Sequence, residues 1–473
     1  MSTSTVTPEL SSHDARSELR GVIAMAVPTV LTMTARALID VVDYKLVSML
    51  GDPAAAAAIL PAQMIVWCYI VLGMGTINLV GTYVAQSLGR EKYDECGAYG
   101  WQAAYLAAIF GLATVPLIPF LRLVMHALTP DATVFDAKYA YGSVAILSVA
   151  PTIAAEGFAQ FFNGVHRPWV TMWSSLEANV VNVLVGATLM FGWFGVEPIG
   201  VAGAAWGTVA GTSFRTLRLA LTMRTRDFDV RFATRRTWRP SWSRMRDVVR
   251  LGLPTGVQWL SDVFVWMVFV NALIGRFSTA HQIASNSAWQ FMRLSFMPTA
   301  GVGIAVAALV GKSIGRGDFD RPVREVRGAM ALVLAYMGAL TVLFAAAPKW
   351  LLSFYSDDPE VLRIGVGVMI CAAVFQLFDG LAITYISALR GAGDTFVPSA
   401  FSIVAHWVII MGGGYAAVRL FPRIGSLGPW IVASILIIVI GVYMALRWRG
   451  GRWKRIRIFR DDAPTAPAGS PSA

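Results

Sequence analysis

The feature that most constrains this chain is its succession of long apolar stretches, broken only by charged or Gly/Pro-containing turns. Twelve can be drawn, at 21–49, 54–86, 99–121, 139–163, 169–192, 200–222, 248–274, 279–311, 326–346, 361–389, 396–418 and 427–446. A bilayer crossing needs about 20 mainly apolar residues, so each stretch is long enough to span. Hydrophobic residues make up 56% of the chain and charged residues 14%, against roughly 25% charge in ordinary globular proteins. So few charges cannot cover so large an apolar surface in water, which excludes a soluble enzyme or binding module. Cys68, Cys96 and Cys371 are too few and too far apart for a secreted disulfide scaffold.

The net charge of +11 would suggest nucleic acid in a soluble protein. Here the bases follow the bilayer. With the N-terminus cytoplasmic, and with the bases in the end turns of spans (Lys45, Arg250, Arg327, Arg363) counted with the adjoining segment, 27 of the 39 lysines and arginines fall in cytoplasmic segments, 8 on the opposite side and 4 (Arg36, Arg215, Arg218, Arg293) deeper within spans. That asymmetry predicts an inner-membrane protein with both termini cytoplasmic and no nucleic-acid partner. The polar N-terminus lacks the pattern of a removable signal peptide. The Pro/Ala/Ser-rich tail DDAPTAPAGSPSA has the composition of a disordered segment.

The chain also repeats itself. AVPTVLTM, containing Pro28, parallels GLPTGVQW, containing Pro254; YVAQSLGREKYD, containing Gly89, parallels LVGKSIGRGDFD, containing Gly315; both offsets are 226. FNGVHRP and LRGAGDT share Gly164 and Gly391, an offset of 227. A nearly constant offset signals duplication. Six helices is an even number, so both repeats enter from one side and are related by an axis along the membrane normal. The expected fold is therefore an all-α polytopic membrane protein of twelve transmembrane helices in two six-helix repeats. Its parts would be a cytoplasmic segment 1–20, an N-lobe 21–223, a basic linker 224–247, a C-lobe 248–447 and a tail 448–473. Two such lobes facing each other predict alternating access, with the site at their interface. Gly203, Gly207 and Gly211 form a small-residue stripe, read as packing inside the first lobe.

Enzyme signatures are missing. LVGKSIG lacks the first glycine of a phosphate loop, since Val306 stands there; HExxH and GxSxG are absent, and the five histidines have no ligand spacing. The informative residues are acids within spans: Asp40, Asp43, Glu156, Glu177, Asp262 and Asp379. At ~3 kcal/mol each, six lipid-facing acids would cost about 18 kcal/mol, so they must face protein or water. Asp40 reads as a partner of Arg36, four residues earlier. Glu156 and Glu177 stay open between pairing and function. Asp43, Asp262 and Asp379 have no obvious base within one turn and read as cation or proton carriers. Trp259 and Trp266 flank Asp262, an arrangement suited to a lipophilic cation. Phe375 and Gln376 precede Asp379 by about one turn. Ser175, Asn179 and Asn182 share one helix face, where they could ligate a cation or bridge helices.

Five segments then carry a resemblance: VVDYKLVSMLG, AHQIASN, ALVGKSIGRGD, SALRGAGDTFVP, and NVVNVLVGATLMFG followed by GVAGAAWGTVAG. Over nearly its whole length the chain resembles transporters of the multidrug and toxin extrusion (MATE) family, of NorM or DinF type. The resemblance implies a two-lobe antiporter driven by Na⁺ or H⁺ that exports organic cations and other xenobiotics, with no resident cofactor. It places the family's acids of helices 1, 7 and 10 at Asp43, Asp262 and Asp379. It implies cation coupling at these three, with Na⁺ possible at Asp379 and Asp262. Trp259, Asp262, Trp266, Phe375 and Gln376 would contact substrate, with Asn179 and Asn182 as polar ligands. The sequence departs from the pattern where Asn182 is followed by Gly186 rather than Asp, and where Arg36 stands at the repeat equivalent of Asp262. Coupling is therefore expected in the second lobe. The alternatives are a flippase for an amphiphilic or lipid-linked substrate and, more remotely, a membrane-embedded enzyme. The expected partners are small amphiphilic or cationic substrates and the lipid bilayer, and the expected state is a monomer.

Overall fold

The computed structural model of the chain describes residues 12–51, 53–127 and 132–459. The N-terminal segment 1–11 and the tail 460–473 lie outside the described residues. In lipid every backbone N–H and C=O must be satisfied within the chain, so apolar stretches of this length fold as helices.

We label twelve membrane helices. In the first repeat α1 is Ser12–Ser48, α2 is Pro53–Ile77 continued by Val80–Gly89, and α3 is Tyr93–Thr114 continued by Ile118–Ala127. Next come α4 (Ala132–Ala145 continued by Val149–Gly164), α5 (Pro168–Phe191) and α6 (Val201–Met223). In the second repeat α7 is Trp242–Val268, α8 Thr279–Gly315, α9 Arg321–Ala346 and α10 Pro359–Gly391. The last two are α11 (Phe396–Leu420) and α12 (Leu427–Arg449). Among the described residues ten of these are long and apolar enough by composition to cross a membrane. The remaining two are α3, interrupted by a 3-10 turn at Val115–Leu117, and α6, which carries Arg215 and Arg218. Several helices run beyond the apolar stretches; α3 starts at Tyr93 and α9 at Arg321, because polar turns continue past the hydrocarbon.

Each repeat has its own core, and each lends a helix end to the other. Val22, Met25 and Ala26 of α1 pack in the second-lobe core, while Met245 and Val248 of α7 pack in the first-lobe core. Within the first lobe α6 lies directly on α5. A Cβ at Gly203 would meet Met190 N at 2.7 Å, one at Gly207 would meet Asn182 O at 2.7 Å, and one at Gly211 would meet Ala178 O at 2.8 Å. The glycine stripe is thus intra-lobe packing. Gly186 belongs to the same contact, since a Cβ at Gly207 would meet Gly186 Cα at 2.8 Å.

The lobes meet along a seam in the half of the membrane nearest the chain ends. A Cβ at Gly301 would lie 2.6 Å from Val30 Cα, and one at Gly75 would lie 2.7 Å from Gly256 Cα. Adding 226 to the first-lobe partner in each contact gives the second-lobe partner of the other, so the two contacts are mates under the repeat. Gly89 and Gly315, also mates, meet each other: a Cβ at Gly89 would lie 2.9 Å from Gly315 Cα. Hydrogen bonds cross beside them. Thr29 Oγ1 donates to Gly301 O (2.8 Å), Thr82 Oγ1 to Arg390 O (3.0 Å), Gln86 Nε2 to Gly391 O (3.0 Å) and Tyr83 OH to Asp247 O (3.1 Å). After α12 the chain returns across the seam. Phe459 sits against Tyr83 and Tyr99, with ring centroids 5.7 and 6.2 Å away, and the Arg90 guanidinium lies 4.2 Å above it.

Candidate transport site

On α1, Leu31 and Leu38 are lipid-exposed; on α7 the exposed positions are Val257 and Phe264, again offset by 226. At ~100° per residue, Arg36 stands on the opposite side of α1 from this stripe, and Asp262 does the same on α7. Each lies six residues past the seam contacts at Val30 and Gly256, ~9 Å further along the helix.

In the first lobe the charges are paired. Arg36 Nη1 donates to Glu156 Oε2 at 3.4 Å, Arg215 Nη1 stands 3.8 Å from the same oxygen, and Gln160 Nε2 donates to Glu156 Oε1 at 2.9 Å. Glu156 and Arg215 are buried, at 5% and 8% exposure. Thr29, Thr32, Asn163, Thr171 and Arg215 line a cavity of about 10 Å³ beside them, room for one water. Glu177 pairs with Arg218 at 3.0 Å on a more exposed face. Both glutamates left open by the sequence are thus ion-paired. Asn182 Nδ2 donates to Asp43 Oδ2 at 3.5 Å, whereas Asn179 Nδ2 is spent on the Ala35 carbonyl at 3.1 Å. The expected Arg36–Asp40 pair cannot be followed, because the Asp40 side chain lies outside the described residues.

In the second lobe Asp262 accepts from Gln258 Nε2 at 3.4 Å and lies 3.3 Å from His406 Nδ1, which donates to Ser402 O at 2.8 Å. His406 opens a π-helical segment, His406–Gly413, and a second one, Phe269–Leu273, follows α7. Such widened turns recur at functional sites. Asp379 is half-buried and has neither a hydrogen bond nor an ion pair among the described residues.

The aromatic residues expected around Asp262 do not form one wall. Trp266 turns into the lobe core, with ring centroids 4.9 Å from Trp289 and 5.3 Å from Phe269. Trp259 packs against the first-lobe core, with the Arg390 guanidinium 5.2 Å above its ring. Aromatic rings this size are drawn into whatever core lies within reach, and these two reach opposite cores. Phe375 and Gln376 are buried, and Gln376 donates to Ser295 Oγ and Met337 Sδ. Neither faces open space beside Asp379. Gln258, His406, Arg390 and Arg215 were missed by sequence reasoning. His406 was within reach of it: subtracting 227 gives Asn179, one of the polar residues already singled out.

Such a charged interior, set between two pseudo-symmetric lobes, is the arrangement of a transporter. The MatE family model matches residues 28–188 and 260–415. The chain belongs to the MATE family. A "Probable multidrug resistance protein NorM" of Rhizobium meliloti is 28% identical over 447 residues, covering 91% of this chain and 92% of the relative. One from Chromobacterium violaceum is 27% identical over 453 residues, covering 94% and 96%. Among solved structures, the "Outward-facing conformation of a multidrug resistance MATE family transporter of the MOP superfamily" has a TM-score of 0.83 at 18% identity, covering 95% of this chain and all of the other. A MATE crystal structure in complex with MaL6 has a TM-score of 0.81 at 18% identity, covering 93% and 98%. The chain is therefore a multi-pass membrane transporter of the multidrug efflux type and not an enzyme.

Proposed function

We propose that this MATE transporter is a cation-coupled antiporter that exports organic cations and other xenobiotics in exchange for Na⁺ or H⁺. Asp379 carries the reading. It is a half-buried acid with no hydrogen bond or ion pair among the described residues, on a helix that crosses the membrane. A carboxylate kept there without a counter-ion is costly, and a mobile cation removes that cost. Such an acid must release one cation before it can hold another, and this competition is what antiport requires.

In this scheme Asp379 and Asp262 bind the coupling ion, Na⁺ or a proton, and Asp262 also receives the cationic end of the substrate. Asp43, held by Asn182, is the lesser site. Residues 21–223 and 248–447 act as the two moving lobes and 224–247 as their linker. The excess of lysine and arginine on the side of the chain ends supports cytoplasmic termini in the inner membrane. The closed seam then faces the cytoplasm, the outward-open arrangement, and one chain suffices for transport.

The test is flux in proteoliposomes with imposed Na⁺ or H⁺ gradients. Asp379→Asn should insert and fold normally but lose gradient-driven export. A purified, well-folded Asp379→Asn protein that exports at near wild-type rate would overturn the proposal.

A further inference from the structure

The linker between the lobes does not hang free in water. Three side chains of α3 hold its backbone. Trp101 Nε1 donates to Thr234 O (2.8 Å), and Tyr105 OH donates to Trp238 O. Gln102, itself buried, donates through Nε2 to Arg239 O (3.4 Å) and accepts from Ser241 N through Oε1 (2.8 Å). Residues 101–105 open the apolar stretch of α3, which starts near residue 99. Helical side chains lean toward the helix N-terminus, here the water side. Segment 234–241 is therefore strapped along the rim of the hydrocarbon.

This strap joins two kinds of surface. Tyr105 shares a helix face with Ile109 and Leu112 (i, i+4, i+7), which are exposed at 46% and 70% and so meet lipid chains. On the strap, Trp238 and Trp242 are exposed at 54% and 73%. Indoles favour the headgroup level of a bilayer. The linker 224–247 also carries eight arginines against three aspartates and has no lysine or glutamate. Asp229 is spent within the linker, accepting from Arg235 N at 2.7 Å and lying 3.8 Å from Arg235 Nε. The guanidinium groups of Arg236 and Arg239 are exposed and have no hydrogen bond or ion pair among the described residues.

We infer that this surface binds an anionic phospholipid of the adjacent leaflet. Arg236 and Arg239 receive its phosphate, Trp238 and Trp242 lie beside its ester groups, and a chain runs along Ile109 and Leu112. Guanidinium forks match phosphate oxygens in a way that ammonium groups do not. A zwitterionic lipid brings its own cation to the phosphate, so the unpaired arginines gain less from it. Because α7 departs from the end of the strap, the bound lipid fixes to the bilayer the point at which the chain passes from one lobe to the other.

Native mass spectrometry of the purified full-length protein resolves bound lipids one by one. The probes are palmitoyl-oleoyl phosphatidylglycerol and the phosphatidylcholine with the same chains. The parent should hold its first phosphatidylglycerol more tightly than phosphatidylcholine. Arg236→Gln/Arg239→Gln should weaken phosphatidylglycerol by about twentyfold, from two contacts of roughly fivefold each, and change phosphatidylcholine by less than about threefold. Arg236→Lys/Arg239→Lys keeps the charge and should recover most of the loss. Should the double variant fold poorly, Arg239→Gln alone carries the expectation at about fivefold. Unchanged phosphatidylglycerol binding, or an equal loss of both lipids, would overturn the assignment. Inorganic phosphate in large excess should displace no lipid; displacement would make the arginines a free-anion site instead. Trp238→Ala/Trp242→Ala should weaken both lipids alike. If it left both unchanged, the linker would be a basic patch for an acidic partner in solution, and the lipid assignment would be wrong.

Discussion

The two lobes share a backbone plan but have parted in charge. The seam glycines, the lipid-facing stripe and the helix order recur at an offset of 226 or 227. The charged groups do not. Glu156 and Arg215 have no ionisable counterpart in the second lobe, where the offset leads to Ile383 and Val442, and Asp379 has none in the first, where it leads to Thr152. The first lobe spends Glu156 and Glu177 on arginines; the second leaves Asp379 unpaired among the described residues and Asp262 in contact with a histidine. Duplication fixed where helices approach, and the charges then diverged, leaving the first lobe's glutamates ion-paired and the second lobe's Asp379 without a counter-ion among the described residues.

The sharpest way to break that contrast is to remove one acid from each lobe. Glu156→Gln leaves Arg215 buried without its counter-charge, and losing one member of a buried pair costs about 3–5 kcal/mol. Thermal unfolding in detergent should show a large loss of stability. Asp379→Asn removes a charge that had no partner and should leave the unfolding temperature near or above wild type while abolishing coupled export. If the two variants lost stability equally, the division into a braced lobe and an exchanging lobe would be wrong.

How much of this could be read in the sequence follows from the same contrast. Helix number and the repeat were legible, because apolar length and recurring glycines act through the backbone, whose geometry is periodic; the seam where those glycines meet was not. Asp43, Asp262 and Asp379 were visible as expensive charges within apolar stretches. Their partners were not. Glu156 and Arg215 lie 59 residues apart on different helices, and no local spacing joins them. The flanking-tryptophan argument for Asp262 failed for a related reason. Helical spacing puts Trp259 and Trp266 on one face, but α7 runs from the first-lobe core to the second, so that face meets different neighbours at its two ends.

The next comparison sets the packed seam against the open half beyond it. Gly315→Leu puts a side chain where Gln86 and Gly89 leave no room. Overpacking of this kind costs about 1–3 kcal/mol, which would move the balance between closed and open seams by roughly tenfold or more. Spin labels flanking the seam on α2 and α8 should report longer distances than in the parent. Gly328→Leu, at a glycine whose added Cβ meets nothing within 4 Å, is the control and should leave the distances unchanged. A weaker version of the experiment is Phe459→Ala. It removes the ring packed against Tyr83, Tyr99 and Arg90, a loss of about 0.5–1.5 kcal/mol for the aromatic contact. The labels should move in the same direction by less. An unchanged distribution would mean that the returning segment rides on the first lobe without holding the seam.

The last comparison concerns pH at the seam, at another position where the lobes differ, and within about two pH units of neutrality its effect on the seam is partial. His166 occupies the left-handed backbone position (φ +61°) that its repeat mate Gly393 adopts at +84°. Glycine takes that conformation freely and histidine does not, so the side chain has a use there. Its ring is buried beside the Ala308 backbone of α8, with Nε2 lacking a hydrogen-bond partner among the described residues. Burial pushes its pKa down to about 3; the Lys312 ammonium adds to this, with smaller contributions from Arg316 and Arg321. In the closed seam the ring is therefore neutral. In an opened seam, exposed to water, it returns to about 6.5. The open state then binds more protons between these values, so the closed seam is fully favoured above about pH 6.5 and loses ground as pH falls. At pH 5 the difference reaches up to about 2 kcal/mol, 1.5 pH units at 1.36 kcal/mol each. The same spin labels, read from pH 7.5 to 5, should show the seam loosening in the parent, and His166→Gln should flatten that response. A slope that survived His166→Gln unchanged would assign the pH dependence to another group, with the Asp262–His406 contact the next to test.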